Sequence, residues 1–207
     1  MQKHGSVRLF KSDFWERFSH VHPITPLIMW TPVISYLLWR AVVVHGLSLE
    51  VIAPLGVAGF FVWTLAEYGL HRFVFHYKAT SKRQERFVFI MHGLHHEDPK
   101  DATRLVMPPA PGLIWATILF FLFRLLLGPS LVEPFFAFFL VGYLCYDYIH
   151  FSVHHFTPRT RVGRYLKQSH MMHHFVSPNA RWGVSSPLWD YVFNTFSDKS
   201  STSERRH

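Results

Sequence analysis

The chain is short of cysteine. Cys145 is its one cysteine, so no disulfide can close within it, and cysteine usage says nothing of the redox compartment. No glycine-rich phosphate loop is visible, so nothing points to a nucleotide site. There is no histidine tract or tag, and no internal repeat beyond paired helical hairpins. Charge is scarce as well: charged residues make up 16% of the chain and apolar ones 49%. Its absence is sharpest at two places. Neither His45–Glu50 nor Gly128–Pro134 contains a lysine or arginine.

Those two segments separate long apolar runs: Ile24 to Val44, Val51 to Leu70, Gly112 to Leu127 and Leu131 to Ile149. A spanning helix needs about 20 mostly apolar residues, so the first, second and fourth qualify directly. The third is short and needs Pro109 to Pro111 or Gly128 to lie near the interfaces. A soluble core helix explains one such run but not four in a chain of this size. The first run is too long and too late for a signal peptide, and no small-residue cleavage site follows it.

Charge then orients the four spans. Lysine and arginine number 4 in the N-terminal arm, 7 between His71 and Pro111, and 8 after Ile149, which is 19 of the 21 in the chain. By the positive-inside rule that side is the cytoplasm. Arg40 and Arg124 lie near the outer helix ends, where long side chains snorkel. The net charge of +8 therefore has a topological cause and does not imply nucleic-acid binding.

The same side collects histidine. Of 16 histidines, eleven fall in four groups: His71 and His76; His92, His95 and His96; His150, His154 and His155; His170, His173 and His174. Neutral imidazole is the commonest metal ligand. On a helix, residues three and four apart share a face, so an HxxHH run aims two or three imidazoles at one spot. Even an octahedral ion accepts only six ligands, so ten or eleven histidines exceed one metal. Two metals with about five imidazoles each, and a position left open, fit the count. His71 and His76 are five apart and turn past a shared face on an ideal helix, so that pair requires a helix end or break. His155 is the spare, because His150 and His154 already share a face. His4, His20, His22, His45 and His207 read as ordinary surface or hydrogen-bonded histidines.

Smaller elements follow from local signals. Phe10, Phe14 and Phe18 recur every four residues, which suggests a helix lying in the membrane interface. Ser81 and Gln84 match a capping box and open a helix carrying Phe89, His92 and His96. Thr157-Pro158 reads as the start of a helix ending in His170, His173 and His174. The four prolines between Glu97 and Pro111 exclude regular helix there. The expected fold is all-α: one membrane-embedded domain over residues 1–207. It comprises an interfacial arm (1–23), four spans (24–149) with a cytoplasmic loop (71–111), a cytoplasmic helical cap (150–196) holding a histidine-rich di-metal site, and a flexible tail (197–207).

Several runs resemble the fatty acid 2-hydroxylases, membrane di-metal enzymes of the fatty acid hydroxylase/sterol desaturase superfamily. They are Glu67-Tyr68-Gly69-Leu70-His71-Arg72-Phe73, Arg104 to Pro109 (RLVMPP), Gly142 to His155 (GYLCYDYIHFSVHH), and HMMHH followed by Gly183-Val184-Ser185-Ser186 and Trp189-Asp190. The resemblance covers roughly residues 66–196. The histidine pattern identifies the superfamily; RLVMPP and YDYIHFSVHH are specific to the 2-hydroxylases. What it implies is O₂-dependent hydroxylation of a lipid acyl chain, at C2 of a fatty acid or of a sphingolipid N-acyl group. The implied metal ligands are His71, His76, His92, His95, His96, His150, His154, His170, His173 and His174, with His155 outside the set. Tyr146 and Asp147 match positions implicated in placing substrate, and Asp147 equally suits orienting an imidazole. Glu67 and Asp190 are candidates for supporting the ligands, or for satisfying a helix end or loop amide. Arg104 suits a lipid head group or an interface salt bridge. Arg181-Trp182 lies where family members are expected to vary.

Unactivated C–H hydroxylation needs an oxidant that side chains cannot supply. The resemblance therefore implies two iron ions and O₂, with zinc as a replacement in purified protein because zinc has no redox chemistry. Many eukaryotic relatives carry a fused cytochrome b5 domain, for which this chain has no room. Electrons are expected from a separate cytochrome b5-like or ferredoxin-like protein. A bacterial cytoplasmic membrane is the expected location, or the endoplasmic reticulum membrane in a eukaryote. Other superfamily oxygenases, such as a carotenoid hydroxylase or a sterol oxidase or desaturase, keep the histidines but should lack RLVMPP and YDYIH. A metal transporter would place its site near the bilayer midplane, whereas these histidines follow helix ends. A bis-histidine haem protein needs only a few histidines, facing each other within the spans.

Overall fold

A computed structural model of the chain describes residues 8–197. The first seven residues of the arm, and the tail from residue 198 on, lie outside the described residues. Every regular element described is helical: α1 (Asp13–Arg17), α2 (Thr25–Trp39), α3 (Leu49–Leu70), α4 (Lys82–Val88), α5 (Leu94–Glu97), α6 (Pro109–His155), α7 (Arg161–Phe175) and α8 (Leu188–Val192). Three π-helical segments extend or join them, Arg40–Val44 after α2, His71–Phe75 after α3 and Phe89–Gly93 between α4 and α5.

Among the described residues, three stretches are long and apolar enough to cross a membrane: Thr25–Val44, Leu49–Phe75 and Pro109–His155. The last is two helices joined at Gly128, whose backbone (φ 79°, ψ 174°) lies where essentially only glycine is found. Pro129 after it disfavours helical backbone at that residue. Ile28, Val57 and Leu125 are 66%, 72% and 84% exposed along these stretches. Outward apolar side chains on helices of this length have lipid as their solvent. The protein is a membrane protein.

The described residues form two compact units. An apolar unit comprises residues 8–63 and 102–147. Its core is aromatic: the Trp63 ring lies 5.2 Å from Phe139, 5.3 Å from Tyr143 and 5.8 Å from Tyr146, and Phe139 meets Phe123 at 5.4 Å. Edge-on and tilted contacts of this kind add to the burial that holds the helices together. Gly59 lets α3 reach α6, since a Cβ there would sit 2.0 Å from the Phe135 carbonyl oxygen. Arg40 does not simply snorkel. Its Nε donates to the buried Glu133 at 2.8 Å, and His45 Nε2 lies 3.2 Å from the same carboxylate.

The helix expected through Phe10, Phe14 and Phe18 is shorter than its spacing predicts. The Glu16 carboxylate accepts the Leu9 and Phe10 amides at 3.0 and 2.8 Å, folding that segment back before α1. Phe14 and Phe18 remain exposed, with their rings 5.2 Å apart.

The second unit, residues 64–101 and 148–197 among those described, contains all four histidine groups. Ser81 caps α4 as expected, accepting the Gln84 amide at 3.4 Å. The Gln84 side-chain oxygen turns back to accept the Thr80 amide and hydroxyl, one residue earlier than a capping box prescribes. The helix predicted from Thr157 begins instead after Thr160, whose hydroxyl accepts the Gly163 amide at 3.0 Å.

Candidate metal centre

The awkward pair comes together first. His71 opens the π-helical segment, and the His76 amide donates to the His71 carbonyl at 3.2 Å, a bond between residues five apart. A π turn brings residues five apart over one another, as an α turn does for residues four apart. The two rings lie 5.1 Å apart. The break that this spacing demanded is therefore a wide turn.

The ten histidines carried over from the resemblance form two groups of five: His71, His76, His92, His96 and His173; and His95, His150, His154, His170 and His174. In each group the nitrogens available as ligands lie within 4.8 Å of one another. Of the two or three imidazoles that an HxxHH run is expected to aim at one spot, each run aims two. His92 and His96 enter the first group while His95 enters the second; His170 and His174 enter the second while His173 enters the first. At about 100° per residue, positions i and i+4 diverge by about 40°, whereas i+3 and i+4 diverge by about 100°. Each HxxHH run therefore serves both groups. His155 lies outside both, its ring 4.5 Å from Phe151.

The nitrogens converge tightly. Nε2 to Nε2 separations are 3.2 Å for His71–His92 and 3.1 Å for His76–His173 in the first group. In the second they are 3.0 Å for His95–His150, His95–His174 and His170–His174, and 2.8 Å for His154–His170. Two ligands at right angles, each about 2.1 Å from a shared ion, lie about 3.0 Å apart.

Protonation agrees. Burial, then the neighbouring imidazoles, pulls His92, His95 and His170 well below the ordinary histidine range. The same causes bring His76 to about 3 and His96 to about 4, and burial alone brings His173 to about 4. The imidazoles are neutral at pH 7 and keep a lone pair for a metal. For two of them the tautomer is set by a partner that can only accept. His71 Nδ1–H donates to the Trp182 carbonyl at 2.5 Å and His173 Nδ1–H to the Ala180 carbonyl at 2.8 Å. That leaves both Nε2 lone pairs facing the group. His96 Nε2 is buried with no hydrogen-bond partner. Ten neutral, converging imidazoles are a donor set suited to two divalent ions.

The loop supplying those carbonyls was not singled out by sequence for this role. Asp190 accepts the Trp182 and Gly183 amides at 2.9 and 2.8 Å. Glu67 accepts the Val184 and Ser185 amides at 2.7 and 2.8 Å, and the Ser185 hydroxyl. Both carboxylates thus satisfy loop amides, one of the two roles expected of them. Trp182 is buried with its ring 4.9 Å from His76, 5.2 Å from His173 and 5.6 Å from His71. Aromatic walls of this kind exclude water from imidazole ligands. A tryptophan beside an arginine in a loop carries no sequence mark of such a place.

The residues expected to meet substrate lie in the apolar unit. Asp147 is buried and accepts the Tyr143 hydroxyl at 2.6 Å. Tyr146 is buried against Trp63. Arg104 donates to Glu16 at 2.6 Å and lies 2.9 Å from His20 Nε2, an ion pair of the kind weighed against a lipid contact.

The family model for the fatty acid hydroxylases matches residues 56–195. The chain belongs to the fatty acid hydroxylase family. It is 38% identical over 188 residues to dihydroceramide fatty acyl 2-hydroxylase FAH1 of Arabidopsis thaliana, covering 91% of this chain and 79% of that protein. It is 36% identical to the fatty acid 2-hydroxylase of Rattus norvegicus, with 91% and 56% covered. With the ceramide very long chain fatty acid hydroxylase SCS7 of Saccharomyces cerevisiae it shares 38% identity, with 93% and 50% covered. The chain thus spans about half the length of the rat and yeast relatives. Among solved structures, full-length Scs7p with only its hydroxylase domain visible matches at a TM-score of 0.84 and 35% identity, over 90% of this chain and 70% of that one. This fatty acid hydroxylase family member is an oxidoreductase acting on lipid.

Proposed function

We propose that this hydroxylase inserts one oxygen atom of O₂ at C2 of an acyl chain, carried by a fatty acid or by the N-acyl group of a sphingolipid. The observation that carries the reading is the pair of five-histidine groups in a chain whose relatives are named 2-hydroxylases. The balance is simple. A C–H bond and O₂, with two electrons and two protons, give an alcohol and water. Iron bound by the two groups, with His71, His76, His92, His96 and His173 on one ion and His95, His150, His154, His170 and His174 on the other, would supply the O₂ activation that side chains lack.

The chain's own residues do the rest. Neutral imidazoles keep ligand lone pairs available near pH 7, and the 180–186 loop orients two of them. Asp147 lies one helical turn before His150, and Tyr146 one residue earlier, so these two are assigned to hold the carboxyl or amide group adjacent to C2. Leaving such polar groups buried and unpaired would cost about 1–3 kcal/mol each. Arg104, already paired with Glu16, is the remaining candidate for a lipid head group. The break at Gly128 supports a reading of four spans, and the lysine and arginine count supports placing the histidines on the cytoplasmic side. Electrons come from a separate cytochrome b5-like or ferredoxin-like donor.

Lipid mass spectrometry on a host with and without this chain tests the reading. The expected result is an acyl chain heavier by one oxygen, with the hydroxyl at C2. A hydroxyl elsewhere, or oxidation of a carotenoid or sterol, overturns it.

A further inference from the structure

The two histidine groups are not supported alike. In the first, His71 and His173 are each tied through Nδ1 to a backbone carbonyl, those of Trp182 and Ala180. Both carbonyls belong to one short loop. That loop has no regular structure of its own, yet four of its consecutive amides, from Trp182 to Ser185, are held by two buried carboxylates, Asp190 and Glu67. Asp190 in turn accepts the Thr195 hydroxyl at 2.8 Å, and the Trp189 indole donates to Thr64 at 2.9 Å, fastening α8 to α3. In the second group, Nδ1 of His95, His170 and His174 is buried with no partner.

An imidazole whose far nitrogen donates to a fixed acceptor has its tautomer and ring plane chosen in advance, and is the more basic ligand for it. We propose that Glu67 and Asp190 are positioning residues: through the 180–186 loop they orient His71 and His173, and make the first group the tighter of two metal sites. The inference rests on the two-metal reading. It adds an order of loss: the second ion leaves first.

The test is a chelator challenge of the purified, metal-loaded protein, measuring metal per chain as chelator rises. The wild type should release its ions in two steps. His154→Ala, in the second group, should remove the weaker step, and His96→Ala, in the first, the more resistant one. Asp190→Asn sets an amide NH₂ against a loop N–H, and should weaken the resistant step about 10–100-fold while sparing the other. Glu67→Gln keeps an oxygen for the Val184 and Ser185 amides and should stay close to wild type, whereas Glu67→Ala should resemble Asp190→Asn. Nitrogen NMR supplies a readout that mere folding would not give. In Asp190→Asn, the Nδ1–H signals of His71 and His173 should lose their strongly hydrogen-bonded shifts. Two ions leaving together in the wild type, or equal weakening of both steps in Asp190→Asn, overturns the proposal. Fewer than two ions in the wild type would instead overturn the two-metal reading beneath it.

Discussion

The apolar unit and the histidine unit are built on opposite principles. The first is held by aromatic packing, in which Trp63, Phe123, Phe139 and Tyr143 bury one another and few polar groups need partners. The second gathers ten imidazoles, six of them buried, and two buried carboxylates that depend on specific donors, acceptors or ions. Packing is non-directional and tolerates changes that conserve volume. A converging polar cluster tolerates almost none, because each lost partner strands another. The apolar unit should therefore answer substitution with stability, and the histidine unit with metal and turnover.

Four substitutions and one titration sharpen that contrast. The largest effect is expected at His154→Ala, which should abolish hydroxylation and lose metal while the protein still inserts in membranes; retained turnover would remove His154 from the ligand set. Next is Asp147→Asn, which should keep both metals and lower turnover about 10²-fold, the usual scale for a misplaced substrate. Metal loss in that variant would instead assign Asp147 to supporting an imidazole. In the apolar unit, Gly59→Ala forces a methyl group against the Phe135 carbonyl and should cost about 1–3 kcal/mol, with metal content unchanged in whatever remains folded.

Acid should act on the histidine unit. His76, His96 and His173 sit at about 3, 4 and 4 in the fold, below the unfolded value of about 6.5. Protons are then taken up more readily by the unfolded chain. Stability should be full above about pH 6.5 and fall as pH drops towards 4. Thermal unfolding followed across that range checks the sign; stability rising on acidification would contradict the neutral, buried imidazoles. The smallest effect belongs to His155→Ala, just outside both groups, which should keep metal and most activity. Losses equal to those of His154→Ala would mean the second group is wrongly drawn.

The same contrast explains what could be read from sequence. Apolar runs and the break near Gly128 are written in composition, because hydropathy and glycine-proline chemistry act locally. That these ten histidines gather was legible from spacing and resemblance together. Their partition was not. It depends on His95 and His173 leaving their own runs for the other group, and on a π turn between His71 and His76 that five-residue spacing demands without specifying. The 180–186 loop was hidden more deeply. Its conformation is imposed by Glu67, more than a hundred positions away, and by Asp190 across the loop. Arg181 even adopts a left-handed backbone (φ 62°) that no arginine advertises. Local errors had local causes: Glu16 captured the amides that would have continued a helix from Phe10, and Thr160 displaced Thr157 as a cap.

Metal analysis of purified, active enzyme is the most direct test of the account. Two ions per chain are predicted, with both iron-loaded in protein that turns over. One ion or none in a fully active preparation would contradict the two five-histidine sites on which the account stands.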